Sequence, residues 1–358
     1  MKRVGNLFIN IINIENIIKA HRIAKKDKAH YADVQMFETD PYKYAKEIRE
    51  MLIHKAWQPK PVIKKERFES GKNRITVDVA YYPDRVIHQA VMNIVEPVLR
   101  KVFIKDTYQS IKDRGLHQAT KRVRGWLKYE EDTKYCLQVD IEKFYPSVKH
   151  SVVKKFYRKK IKCKDTLYAL DTIVESDDGL PLGFCSSPTF GNMIVSYLDH
   201  FIKSLGAKFY IRYADDIVIF HKSKEFLHFL RNKMQVFMSE KLELKMKKNY
   251  KVFPLEKQGL DFLGYVFFRK YTLVRKRIAQ KMKRALRRRK IRTLGDVSRV
   301  MSYLGWLKWA NSYNLKRVLI PFVRKSVEDM AKRLDIRNPL RNVYLLDKPK
   351  KVQLSFSF

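Results

Sequence analysis

Two adjacent acidic residues interrupt a largely apolar stretch of the chain, KFYIRYADDIVIF at residues 208–220. Short apolar runs stand on either side of Ala214-Asp215, and runs of this length around a two-residue connection are typical of a β-hairpin. We therefore predict a hairpin that carries Asp215 and Asp216 at its turn. Adjacent aspartates are also common in ordinary turns, so this pattern alone does not separate a turn from a functional site.

A third carboxylate has a similar setting, because the segment TKYCLQVD predicts a strand that ends at Asp140. A buried carboxylate without a partner costs several kcal/mol and adjacent carboxylates repel each other, so the arrangement needs a cation. Oxygen ligands without nearby His or Cys favour Mg²⁺, which also binds substrate phosphates. Two such ions can activate an attacking 3′-hydroxyl and stabilise a leaving pyrophosphate.

The chain is also strongly basic, since its 358 residues include 76 Lys and Arg against 37 Asp and Glu, a net charge of +39 at pH 7. This excess favours a nucleic-acid partner over a merely solvated surface. The three cysteines lack the spacing of a zinc site or of a disulfide framework. No segment is apolar enough to span a bilayer, and Asn10, Asn13 and Asn16 interrupt the N-terminal apolar run, which predicts an amphipathic helix rather than a signal peptide. We expect a cytoplasmic protein without membrane association.

The remaining pattern predicts a mixed α/β chain. Residues 1–60 are expected to be mostly helical, and RITVDVAYY alternates like a strand. A long helix is predicted to start at Ser187, a suitable capping residue, and to end at Gly206. The basic segment 275–292 predicts another helix.

Six motifs in this chain resemble those of reverse transcriptases. YADD at 213–216 is similar to the active-site box of that family, and DIEKFYPSV at 140–148 is similar to its first carboxylate motif. LPLGFCSSP at 180–188 resembles the motif before the long palm helix. The other matches are KNRITVDVAYYPDRVIHQAV at 72–91, LELKMKKN at 242–249 and GLDFLGY at 259–265. Because all six follow the family's order, the chain is identified as a member.

The resemblance implies an α/β right-hand polymerase that has fingers, an α+β palm and a helical thumb. We assign residues 1–60 to an N-terminal helical extension and residues 61–135 to the fingers. The palm, interleaved with the fingers, is predicted at 136–265, the basic thumb at 266–335 and a C-terminal tail at 336–358.

The resemblance also implies the catalytic residues. Asp140 and Asp215 are expected to bind two Mg²⁺ ions directly, with Mn²⁺ as an alternative metal and Asp216 as the third carboxylate. Tyr145 stands where the family carries an aromatic ring that contacts the sugar and excludes a 2′-hydroxyl. A tyrosine of the core is the alternative for this position.

Further residues are expected to bind the nucleotide or the nucleic acid. In the fingers, Arg74 and Arg85 are candidates for the triphosphate, and Lys248 matches the lysine that protonates pyrophosphate. The basic helix at 275–292 is predicted to bind template–primer phosphates, and a solvated surface helix is the alternative. Its candidate contacts are Arg284, Arg287, Arg288, Arg289 and Lys290.

Leu182 departs from the family pattern, in which most members have Gln near the template base and the incoming nucleotide. An aliphatic residue there resembles the error-prone reverse transcriptases of diversity-generating retroelements. Ser187-Pro188 differs from the Ser-Gln that is usual in that group, and it keeps open the reverse transcriptases of bacterial antiphage defence systems.

We therefore predict an RNA-directed DNA polymerase, a nucleotidyltransferase that copies a dedicated structured RNA into cDNA with low fidelity, of the diversity-generating type. A defence reverse transcriptase with a non-coding RNA is the alternative within the same chemistry. A catalytically idle RNA-binding or splicing cofactor is the alternative outside it, and the three carboxylates argue against this one. The expected partners are the template RNA, an RNA/DNA duplex, dNTPs and an accessory protein.

Overall fold

The computed structural model of the chain describes residues 2–69, 72–288 and 293–319. Its α-helices are α1 Phe8–Ile11, α2 Ile14–Ala24, α3 Ala32–Thr39, α4 Pro41–Ile53, α5 Val86–Leu99, α6 Leu116–Trp126, α7 Phe144–Ser147, α8 His150–Arg158, α9 Lys164–Glu175, α10 Ser187–Ser204, α11 Lys224–Leu242, α12 Lys276–Arg288 and α13 Leu294–Leu307. Its strands are β1 Ile63–Glu69, β2 Lys72–Asp78, β3 Thr107–Tyr108, β4 Tyr135–Asp140, β5 Phe209–Tyr213, β6 Asp216–His221, β7 Lys251–Pro254, β8 Leu260–Phe262, β9 Tyr265–Phe267 and β10 Thr272–Val274. Within these residues, no helix combines the length and the apolar character needed to cross a bilayer.

The chain divides into two compact units. The first contains the residues up to 115 together with 137–252, and the second contains 116–136 and the described residues from 253 onward. The range predicted for the fingers, 61–135, is thereby divided, because its end belongs to the second unit. The bounds of the fingers, palm, thumb and tail stay predictions.

The N-terminal apolar segment folds as two helices, where one was predicted. Asn13 has an extended backbone and caps α2 by accepting a hydrogen bond from the Glu15 N–H at 2.8 Å. The amide of Asn16 donates to the carbonyls of Ile11 and Ala90, each at 3.0 Å. Asn13 thus separates α1 from α2 and caps the second helix. Asn16 links α2 to α5 through its hydrogen bond to Ala90.

A five-stranded sheet in the order β3-β5-β6-β4-β7 forms the centre of the first unit. Strand β3 is parallel to β5, and β5 pairs with β6 antiparallel in a register that places Tyr213 opposite Asp216. The predicted hairpin is therefore confirmed, with Ala214 and Asp215 as its two turn residues. Strand β4 lies next to β6, and Asp140 at the end of β4 is close enough to this turn for its charge to act on Asp215.

The long helix predicted before the hairpin is α10, which packs against α8 and α11. Its start differs from the prediction that Ser187 caps the first turn. Ser186 occupies the capping position without a side-chain bond, and the Ser187 hydroxyl instead donates to the carbonyl of Pro181 at 2.7 Å. Gly206, with φ of +96°, follows the helix as predicted.

The second unit contains a small sheet in the order β10-β9-β8, together with α6, α12 and α13. The predicted basic helix is α12, which the structure describes as far as Arg288. A core of buried residues joins α12 and α13: Met282, Leu286, Val300, Leu304, Leu307 and Leu319. At the β8–β9 turn, Gly264 has φ of +78°, and a Cβ there would lie 2.6 Å from the Trp306 ring, so only glycine allows this close packing.

Candidate active site

The hairpin turn has a strained but fully supported backbone. Ala214 has φ of +55°, which L-residues rarely adopt outside tight turns, and it is 5% exposed. Its N–H donates to the Tyr108 carbonyl at 3.4 Å, and its own carbonyl accepts a hydrogen bond from Arg212 Nη1 at 3.0 Å. These two contacts fix the turn that carries Asp215.

Asp140 and Asp215 lie close together at the end of the sheet. Burial raises the pKa of Asp215, and the neighbouring negative charge of Asp140 raises it further. Asp140 Oδ2 accepts from the Lys247 ammonium, whereas the buried Oδ1 of Asp140 has no hydrogen-bond partner among the described residues. The carboxylates of Asp140 and Asp215 therefore lie side by side in a partly buried site, where the Lys247 ammonium contacts Asp140.

These two side chains fit a divalent cation, because the orphaned Asp140 Oδ1 and the neighbouring Asp215 carboxylate form an oxygen-only donor set of the kind Mg²⁺ prefers. The described residues contain no group of three or more His, Cys, Asp or Glu side chains that could hold one ion. Asp216 begins β6 opposite Tyr213, and its role as a third ligand stays a prediction.

A buried ion pair that the sequence analysis missed supports the hairpin from within. Arg212 on β5 and Asp199 on α10 are both 0% exposed and form a bidentate pair, with Nε and Nη2 each 2.8 Å from the carboxylate oxygens. Tyr210 and Thr107 donate their hydroxyls to the same carboxylate at 2.5 and 3.0 Å. Because Arg212 also donates to the Ala214 carbonyl and to Asn192 Oδ1 at 2.9 Å, one guanidinium connects the turn to α10. A charged residue inside the apolar strand FYIRY was the available signal for this pair.

Tyr145 lies near the carboxylates. Burial, followed by the Asp215 charge, raises the pKa of Tyr145 to about 12. The ring of Tyr145 is half-buried, whereas the neighbouring Phe144 is 3% exposed. Both rings pack beside Gly191 of α10, where a Cβ would lie 3.0 Å from Phe144 and 3.6 Å from Tyr145. Tyr145 is thus the aromatic residue of this pair that still has an accessible surface.

The motif that contains Leu182 is bound to the end of β2. The Leu182 carbonyl accepts a hydrogen bond from the Val77 N–H at 2.7 Å. Gly183 has φ of +138°, and a Cβ there would lie 2.0 Å from the Val77 carbonyl oxygen, so a side chain would block this contact. The side chain of Leu182 itself is half-buried.

The other residues predicted to bind the nucleotide, Arg74, Arg85 and Lys248, differ in their exposure and in their contacts. Arg85 is largely buried and donates to Asp78 Oδ1 at 2.8 Å and to the Val79 carbonyl at 3.2 Å. Arg74 is exposed on β2, opposite Arg67 of β1. Lys248 is exposed, and its neighbour Lys247 is the lysine that reaches Asp140. The role predicted for Lys248 stays a prediction.

The predicted phosphate contacts of the basic helix are only partly described. Arg284 is exposed on α12. Arg287 and Arg288 end the described helix, but their side chains lie outside the description, and Arg289 and Lys290 lie outside the described residues altogether.

Two solved structures have a similar fold. Telomerase from Candida tropicalis, in complex with a fragment of telomeric RNA, superposes with a TM-score of 0.51 at 10% identity, over 83% of this chain and 59% of that one. The RNA-dependent RNA polymerase of a human picobirnavirus superposes with a TM-score of 0.51 at 13% identity, over 79% of this chain and 61% of that one. The chain therefore has the right-hand polymerase fold that its sequence predicts.

Comparison with known sequences identifies the family of the chain. Retron Ec73 reverse transcriptase of Escherichia coli is 26% identical over 171 residues, 43% of this chain, and the chain spans about half of that protein, 52%. Protein YkfC of Escherichia coli K12 is 20% identical over 269 residues, 62% of this chain and 71% of that protein. Residues 62–267 match the family described as reverse transcriptase (RNA-dependent DNA polymerase). Since this match covers more than half of the chain and includes both Asp140 and Asp215, the chain belongs to the reverse transcriptase family.

Proposed function

We propose that the chain is an RNA-directed DNA polymerase that copies a structured RNA into cDNA. The observation that carries this proposal is the Asp140–Asp215 pair beside a fixed hairpin turn. A protein that only binds RNA has no use for two carboxylates held together at the cost of mutual repulsion. An idle RNA-binding or splicing cofactor is therefore the weaker candidate.

The residues of the site have separable tasks in this reaction. Asp140 and Asp215 would hold Mg²⁺ or Mn²⁺, which lowers the pKa of the attacking hydroxyl and neutralises charge on the phosphates. Arg212 keeps the Ala214 carbonyl, and with it the Asp215 carboxylate, in place. Lys247 holds a positive charge against Asp140 and is near enough to the carboxylates to serve as a proton donor.

The experiment that tests this function is extension of a DNA primer on an RNA template, with dNTPs or NTPs. We expect the wild-type chain to incorporate dNTPs only when Mg²⁺ or Mn²⁺ is added, and to exclude NTPs. Tyr145→Ala is expected to raise NTP incorporation about tenfold, equivalent to ~1.4 kcal/mol, because the ring that would contact the 2′-hydroxyl is removed.

Tyr145→Phe is the matched control, since it keeps the ring and removes only the phenolic hydroxyl. It is expected to exclude NTPs as well as the wild type does. If Tyr145→Ala discriminates against NTPs like the wild type, Tyr145 is a packing residue. If the wild type extends no primer under any metal, the proposed activity is wrong.

We further propose low fidelity, as expected for the diversity-generating type. A glutamine at position 182 could hydrogen-bond to neighbouring polar groups, whereas leucine offers only apolar contact. A lost hydrogen bond of ~0.5–1.5 kcal/mol corresponds to about a two- to twelvefold change in error rate if all of it discriminates between correct and incorrect pairs.

Leu182→Gln is therefore expected to lower misincorporation several-fold, measured by deep sequencing of cDNA made on one defined RNA. Leu182→Met, which keeps an apolar side chain of similar volume, is the control and should leave the error spectrum unchanged. Equal error spectra for Leu182→Gln and the wild type would favour the alternative role, a reverse transcriptase of an antiphage defence system with its non-coding RNA.

We also propose that the protein acts in the reducing environment of the cytoplasm, with an accessory protein as a further partner. The location is supported by Cys136, Cys163 and Cys185, which are all free thiols.

A further inference from the structure

We infer that the exposed face of α6 binds the phosphodiester backbone of a nucleic acid. The binding surface, here called the α6 strip, consists of Lys121, Arg124, Gly125 and Lys128. The inference rests on the proposed nucleic-acid substrate and adds a contact surface that neither the catalytic site nor the basic helix α12 includes.

The position of the strip follows from the helix period. Ala119, Thr120, Val123 and Trp126 are buried on one face of α6. The members of the strip are exposed and recur at the spacing of the opposite face, with Lys128 just beyond the last helical residue. Packing of the apolar face therefore fixes the direction in which the strip points.

Among the described residues, the charges of the strip have no counterions. From Gly115 to Tyr129 the sequence contains no acidic residue. Neither Lys121, Arg124 nor Lys128 forms an ion pair with any residue in the described part of the chain, although exposed lysines such as Lys55 and Lys64 do so, at 3.1 and 2.9 Å. A row of unpaired positive charges repels itself and is stabilised by an external polyanion.

Gly125 independently supports a ligand on this face of α6. Glycine destabilises a helix relative to alanine, and it is usually explained by a positive φ or by close packing. Gly125 is not among the residues with positive φ, and a Cβ added there would meet no atom within 4 Å. Because nothing inside the described chain requires glycine, its position between Arg124 and Lys128 points to close approach by an external backbone.

The dimensions of the strip fit one nucleic-acid strand. Seven residues of helix are about 10 Å long at ~1.5 Å per residue. One strand of a duplex carries a charge every ~3.4 Å along the axis, so the strip faces about three phosphates. The strip presents only cationic hydrogen-bond donors, with no acceptor and no aromatic side chain among them, and such a set suits contacts to phosphate oxygens, which position a nucleic acid without reading its sequence.

The test compares two double variants with identical chemistry. Lys121→Gln with Arg124→Gln alters the strip. Lys46→Gln with Arg49→Gln removes the same two residue types, at the same spacing, from the exposed face of α4, where Glu47 and Glu50 stand next to them in the sequence and offset their charge. Affinity for an RNA/DNA duplex, for single-stranded RNA and for single-stranded DNA is measured by fluorescence anisotropy across a range of KCl concentrations. We expect the slope of log K against log salt to fall by about two for the strip variant and to stay constant for the control.

The three probes identify the strand whose phosphates the strip contacts, because only probes that contain it lose affinity. Equal slopes for the strip variant, the control and the wild type on all three probes would overturn the inference. A loss of affinity for an acidic polypeptide, with unchanged slopes for the nucleic acids, would assign the strip to a protein partner and overturn it as well.

Gly125→Ala separates binding from stability. Alanine favours the helix and fills open space, so the unfolding temperature should stay the same or rise, while affinity falls several-fold because the new methyl group keeps the strand away. A purely structural glycine would move both quantities downward. Wild-type affinity in Gly125→Ala would overturn the close approach that the inference requires.

Failure of this inference and failure of the proposed function give different results. If the strip variants bind normally while the wild type extends primers, only the strip assignment fails. If the strip variants lose salt-dependent binding while the wild type extends no primer, the surface stands and the polymerase assignment fails.

Discussion

Asp215→Asn is expected to abolish dNTP incorporation on a primed RNA template, by at least ~10³-fold, which corresponds to about 4 kcal/mol of lost transition-state stabilisation. The change keeps the size of the side chain and removes its charge. Because Asp215 lies beside Asp140, the amide would replace one of the two neighbouring anionic oxygen donors with a neutral group, and divalent cations such as Mg²⁺ bind neutral amides more weakly than carboxylates. The measurement is single-turnover primer extension.

The same variant should fold at least as well as the wild type. Burial and the charge of Asp140 both raise the pKa of Asp215, so the ionised side chain opposes folding at neutral pH. An amide removes this repulsion. We therefore expect an unchanged or higher unfolding temperature, and wild-type affinity for RNA, together with the loss of catalysis.

Asp113→Asn is the matched control for the change in charge. Asp113 is exposed and has φ of +66°, a conformation that asparagine also tolerates, so this variant should keep both activity and stability. Polymerisation by Asp215→Asn at more than a few per cent of the wild-type rate would remove Asp215 from the catalytic residues. An equal loss in Asp113→Asn would mean that net charge, and not the site, determines the rate.

The hairpin was predictable because its information is local. Two apolar runs around a two-residue connection specify a β-hairpin, and β5 and β6 pair in the register which that pattern requires. The long helix α10 was predictable for the same reason, but its first residue was not. Whether Ser186 or Ser187 caps a helix depends on where the Ser187 hydroxyl finds an acceptor, and that acceptor is the Pro181 carbonyl in the preceding loop.

The carboxylate pair required more than local pattern. Asp140 and Asp215 are far apart in the sequence and meet because β4 lies beside β6, an order that strand propensities do not determine. From the sequence, only the family resemblance predicted that these two carboxylates lie in one site. The same limit explains Lys247: three lysines stand close together in LELKMKKN, and the short antiparallel bridge between Ile141 and Met246 selects the one that reaches Asp140.

The binding surface proposed on α6 could not be predicted from composition. Its basic residues are ordinary for a chain with a charge of +39, so the sequence gives no reason to single them out. Only the fold separates lysines that are paired from those that are not, and only packing reveals that Gly125 has no neighbour.

Arg212→Met is expected to lower the free energy of unfolding by ~3–5 kcal/mol, since it removes one partner of a fully buried ion pair. Asp199 would keep two hydroxyl donors, Tyr210 and Thr107, but would lose its countercharge. The measurement is urea unfolding, with Lys55→Met as the control. Lys55 pairs with Asp165 at the surface, where both side chains are nearly half exposed, so its removal should cost under about 1 kcal/mol.

Arg212→Lys tests whether the pair also positions the catalytic turn. A lysine can pair with Asp199, but a single ammonium cannot reproduce both the bidentate contact and the hydrogen bonds to Ala214 and Asn192. We therefore expect this variant to recover part of the stability lost in Arg212→Met and yet to extend primers more slowly than the wild type. It should also require more Mg²⁺ for half-maximal rate, because the turn that carries Asp215 is no longer held.

Two results would contradict this view of the ion pair. If Arg212→Met lowers the free energy of unfolding no more than Lys55→Met does, the buried ion pair contributes as little to stability as a surface pair. If Arg212→Lys regains both full stability and the wild-type dependence on Mg²⁺, then charge alone is sufficient at this position. The contact from Arg212 to the Ala214 carbonyl would then be a consequence of the turn and not its support.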